Sequence, residues 1–106
     1  MENKPLSLLE LNSLVRRSIT SCLPDEYWVQ AELSDVRVNY SGHCYLEFVQ
    51  KDATGNALLA KARGIIWANV FTRLRAYFER ETGQAFVAGI KVMVKVAVEF
   101  HELYGY

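Results

Sequence analysis

The run IKVMVKVAVEFH, residues 90–101, alternates without a break. Ile90, Val92, Val94, Val96, Val98 and Phe100 fall on one side, and Lys91, Met93, Lys95, Ala97, Glu99 and His101 on the other. A period of two, with β-branched residues on the apolar side, marks a strand with one buried face. It predicts one long strand over residues 90–102, whose charged side requires solvent or an anionic partner.

The chain before it offers the sheet for that strand to join. YWVQAELSDVRV alternates imperfectly, with Val29, Ala31 and Leu33 on one side and Trp28, Gln30, Glu32 and Ser34 on the other. HCYLEFVQ follows, with Cys44, Leu46 and Phe48 on one face and His43, Tyr45, Glu47 and Val49 on the other. Ser41-Gly42 between these runs permits a tight reversal, because glycine tolerates backbone angles closed to other residues. The segment from Asp52 to Asn56 is a second turn signal. ALLAKARGIIW then supplies a third strand, with Leu58, Ala60, Ala62 and Ile66 on its smaller-residue side and Leu59, Lys61, Arg63, Ile65 and Trp67 opposite.

Two segments keep helical period instead. In LSLLELNSLVRRSITSCL, residues Leu8, Leu11, Val15, Ile19 and Cys22 share a face, Ser7 and Glu10 have capping-box spacing, and Pro24-Asp25 ends the helix. In NVFTRLRAYFERETG, residues Val70, Phe71, Leu74, Tyr77 and Phe78 recur at helical spacing, with Gly83 placed as a stop. Arg75 and Glu79 read as an ordinary surface pair on that helix.

With 106 residues, the chain predicts one domain over residues 1–106, with a leading helix over 1–24. Half of it is apolar, which argues against disorder. Twelve basic residues balance twelve acidic ones, so nucleic-acid binding has no support from net charge and rests on a local patch. Cys22 and Cys44 lie far apart, with no CxxC pair, and read as buried free thiols. The polar N-terminus has no apolar signal core and no run reaches membrane-spanning length, so a soluble cytoplasmic protein without a membrane partner is expected.

Helix, three meander strands, helix and a fourth strand match most of an OB-fold: mainly β, a five-stranded Greek-key barrel over residues 27–106 whose fifth strand would come next. No catalytic constellation accompanies it. His101-Glu102 begins like HExxH, but Gly105 occupies the position of the second histidine. Glu32, Asp35, Glu47 and Asp52 are assigned to different strands or opposite faces, which favours surface and turn roles over a metal site. No cofactor is expected.

Nucleic-acid binding has a better physical case. Lys61 and Arg63 share a strand face with Trp67, and His43 and Tyr45 share one on the neighbouring strand. Cations follow phosphates and flat rings accept unstacked bases. The usual OB-fold cleft adds Arg37, Tyr40 and Tyr104. Against this stands plain packing: Trp28 and Trp67 also suit rim or core positions, and Lys91 and Lys95 suit a solvated strand face.

The opening helix, the strand WVQAELSDV, the ribbon SGHCYLEFVQKD, the strand ARGIIW and the final HELYGY occur in the order and spacing that resembles the N-terminal domain of the exodeoxyribonuclease VII large subunit. The most specific element is Ser41-Gly42-His43 with Tyr45, Lys51 and Asp52, supported by Glu32 and Ser34. Ala31 stands where that family often has glycine and Cys44 where an aromatic is frequent, and the helix around Phe71 to Gly83 is longer than the family suggests. The resemblance implies a single-stranded DNA-binding module of an enzyme that degrades single-stranded DNA from both ends. It further implies that the catalytic region and the contacts with a small subunit lie in an absent downstream part. Two other readings stay open: an assembly domain that recruits another copy through an unpaired sheet edge, and a transfer-RNA-binding OB domain of synthetase type.

Overall fold

Ser7 opens the first helix as its residue type requires. Its hydroxyl accepts from the Glu10 amide at 3.0 Å while the Glu10 carboxylate accepts from the Ser7 amide at 2.9 Å, a reciprocal capping box. In this computed structural model, which describes residues 4–103, the order is α1 (Leu8–Cys22), β1 (Glu26–Val38), β2 (Cys44–Lys51), β3 (Leu58–Ile66), α2 (Ala68–Thr82) and β4 (Lys91–Ala97). The four strands form one sheet of order β3-β2-β1-β4, so β4 returns past α2 to lie beside β1, the Greek-key arrangement of an OB-fold. β3 and β4 are its edges among the described residues.

The chain packs as two compact units, one of residues 30–93 and the other of residues before 30 together with those from 94 on. In the larger unit the core comprises Leu33, Cys44, Leu46, Val49, Phe71, Phe86 and Val92. Phe86 meets the ring of Phe78 edge-on at 5.3 Å and that of Phe71 at 6.2 Å, and this aromatic trio holds α2 to the segment that leads into β4. The Glu79 carboxylate, 3.6 Å from Arg75, also accepts from the Phe86 amide at 3.0 Å. Gly83 closes α2 in the left-handed conformation at φ 69°, as its sequence position predicts. In the smaller unit, α1 is tied to the chain beyond β4 by Arg16, 2.8 Å from the Glu102 carboxylate, and by Asn12, which donates to the Glu102 carbonyl at 2.8 Å.

Three expectations are corrected. β4 is seven residues long instead of spanning 90–102, although burial keeps alternating through Val98 and Phe100. Period two records where side chains face, while a strand ends where its hydrogen-bonded partner does. Cys22 is exposed, and only Cys44 is the buried thiol, its pKa pushed up by that burial. The apolar stripe of α1 carries no buried residue among those described.

Candidate nucleic-acid interface

A single extra residue in β1 builds the site. Leu33 pairs with Phe48 and the next pair is Asp35 with Glu47, so Ser34 is a bulge. Strict alternation from the buried Leu33 would turn Asp35 and Arg37 inward. The bulge reverses this, sending Val36 and Val38 to the core side with Leu46 and Cys44, and Asp35 and Arg37 outward with Glu32.

Residues paired across antiparallel strands share a face, so the register lays out the outer face of β1, β2 and β3 in rows. Arg37, Tyr45 and Ile65 form one row, Asp35, Glu47 and Arg63 the next, and Glu32, Val49 and Lys61 the third, where Val49 is nonetheless buried. Beyond the first row, where β3 gives way to α2, the rings of His43 and Trp67 meet edge-on at 5.2 Å. Gly64 stands between Arg63 and Ile65 on the opposite, inner side, where a Cβ would lie 2.6 Å from the Phe48 ring.

The loop between β1 and β2 is pinned by Asn39. Its amide donates to the His43 carbonyl at 2.9 Å, its side-chain oxygen accepts from the His43 amide at 3.0 Å, and its Nδ2 donates to the Tyr45 hydroxyl at 3.4 Å. Gly42 takes φ 90° at the reversal, which leaves Tyr40 fully exposed at the tip. His43 Nδ1 accepts from the Ala68 amide at 2.9 Å, so the imidazole caps α2, whose N-cap residue Trp67 makes no side-chain cap bond. Trp67 is 53% exposed and Tyr45 42%.

Charge on this face is mostly paired. Arg37 lies 2.8 Å from Asp35, Lys51 3.3 Å from Glu32 and Lys61 3.4 Å from Glu47, whereas Arg63 has no ion pair among the described residues. A hydrogen bond from Ser34, aided by Lys61, holds the Glu47 carboxyl below its ordinary pKa. Asp52 is likewise lowered, first by Thr54 and then by the amides of the β2–β3 turn. Of the expected separation by strand or face, the separation by strand holds, with Glu47 on β2 and Asp52 in the turn, whereas the bulge puts Asp35 on the same face as Glu32 and Glu47, each beside its own cation. No group of three His, Cys, Asp or Glu side chains among the described residues is arranged to hold a metal ion.

The structure thus brings Arg37, Tyr45, Lys61 and Arg63 onto one surface, with His43 and Trp67 at its end and Tyr40 on the adjoining loop. Tyr104 lies outside the described residues. Sequence reasoning missed Asn39 and named Ser34 only as part of the resemblance, because their roles depend on the turn and the bulge.

An open Greek-key sheet with aromatic and cationic side chains on the outer face of its central strands defines an OB-fold nucleic-acid-binding domain. Residues 6–106 match the family model described as the OB-fold nucleic acid binding domain, and the chain belongs to that family. It is 35% identical over 105 residues to the exodeoxyribonuclease 7 large subunit of Deinococcus radiodurans, covering 95% of this chain and 25% of that protein. The resemblance carried by the Ser-Gly-His ribbon is borne out, and the chain spans about a quarter of that relative's length. No helix among the described residues is long and apolar enough to cross a membrane.

Proposed function

We propose that this domain binds single-stranded DNA across the outer face of β1, β2 and β3 and presents it to the cleavage machinery of a cytoplasmic exodeoxyribonuclease, without cofactor or cleavage chemistry of its own. The observation that carries this reading is the row order on that face: exposed side chains at Trp67 and Tyr45 followed by the guanidinium of Arg63, which has no ion pair among the described residues. Rings accept bases at any sequence, and a cation beside them accepts the phosphate between. Contacts with a small subunit, which the resemblance implies, belong to other parts of such an enzyme.

Fluorescence anisotropy of a labelled oligothymidylate, over a salt series, tests the reading. Tyr45→Ala is expected to cost about 1–3 kcal/mol of binding. Arg63→Ala is expected to reduce the salt slope by about 0.7. Lys61→Ala, already paired to Glu47, is expected to matter less. Preference for duplex DNA or folded RNA over the single strand would overturn the assignment.

A further inference from the structure

Among the paired cations of the outer face, Lys61 is held by a carboxylate that is itself fixed. Ser34, displaced outward as the bulge residue, donates its hydroxyl to one Glu47 carboxylate oxygen at 2.7 Å and approaches the Glu47 carbonyl at 3.3 Å. The other carboxylate oxygen is 3.4 Å from Lys61 Nζ. Glu47 stands in the middle row, between Tyr45 and Val49 on its own strand and opposite Arg63. A phosphate that approaches Arg63 from a base on Tyr45 therefore meets a negative charge in the same row. Lys61, the nearest compensating cation, is turned toward Glu47. Nothing in core packing demands a carboxylate at this half-exposed position, since the hydrogen bond from Ser34 is one that a neutral amide also accepts.

We propose that Ser34, Glu47 and Lys61 form a built-in limiter of affinity: Glu47, oriented by Ser34, withholds Lys61 from phosphate so that a single strand is held loosely on the face. This rests on the single-stranded DNA reading above and concerns how that same surface is tuned. Loose holding suits a module that passes a strand along, because each phosphate must leave as readily as it arrives.

The test is a double-mutant cycle in the full chain, read by anisotropy of labelled oligothymidylate from low to physiological salt. Glu47→Gln keeps the acceptor for Ser34 and removes the charge. It is expected to tighten binding about three- to tenfold at low salt and to steepen the salt slope by about 0.7. Lys61→Ala is expected to change little in the natural background and to erase most of the gain in the Glu47→Gln background. Ser34→Ala, at an exposed position, gives a second route, with a smaller gain that also depends on Lys61. Thermal melting of each variant checks that folding is retained. Binding weakened or unchanged by Glu47→Gln, or a Lys61→Ala effect equal in both backgrounds, overturns the limiter while leaving the binding face standing. Failure of both the natural chain and Glu47→Gln to bind overturns the binding face and the limiter together.

Discussion

Gly64 has no Cβ because the Phe48 ring occupies its place: an added methyl would sit 2.6 Å from that ring's Cε2. Gly64→Ala must push the ring or bend β3, and is expected to destabilise the domain by about 1–3 kcal/mol in a urea titration. Asp52 acts through its charge. Its pKa is lowered in the folded state, so its contribution is complete above the unfolded value and is lost as pH falls through the folded one. Asp52→Asn is thus expected to lower the melting temperature at neutral pH and to converge with the natural protein as pH falls below the ordinary carboxylate range. Lys61 and Arg63 look equivalent in the sequence, being alternate residues on one strand face. Side-chain geometry separates them: Glu47 stands opposite Arg63 in the register yet reaches diagonally to Lys61, and Arg63 has no ion pair among the described residues.

At the scale of elements, period carried the sequence reading a long way. Both helices, all four strands and the stops at Pro24 and Gly83 were legible, because each follows from local spacing and backbone preference. The end of β4 and the bulge at Ser34 were not, since each is settled by a partner strand distant in sequence. The same is true of the N-terminus of α2, which lacks a side-chain cap of its own and borrows the His43 imidazole. His43→Ala is expected to cost about 1 kcal/mol of stability by chemical denaturation, the size of a lost N-cap. Gly83→Ala forces a Cβ into the left-handed region and is expected to cost about 1–2 kcal/mol. If His43 also supports the Trp67 ring as a base platform, His43→Ala weakens oligonucleotide binding in proportion to the Trp67→Ala loss, whereas Gly83→Ala leaves binding unchanged.

For the molecule as a whole, the candidate site was legible as a set of residues but not as a surface. Tyr45, Lys61, Arg63 and Trp67 could be grouped by alternation alone. Arg37 reaches the same face only because of the bulge, and Asp35, the carboxylate paired with it, arrives by the same displacement. Three of the four cations on this face are paired with carboxylates, so the proposed binding rests chiefly on the rings and on Arg63. The most direct test is an amide-resolved NMR titration of the isotope-labelled chain with a short oligothymidylate. The account predicts shifts concentrated at Tyr40, Tyr45, Glu47, Arg63 and Ile65 and at the Trp67 indole, with α1 unaffected. Shifts confined to α1 or β4, with the Tyr45 and Arg63 signals unmoved at saturation, would contradict it.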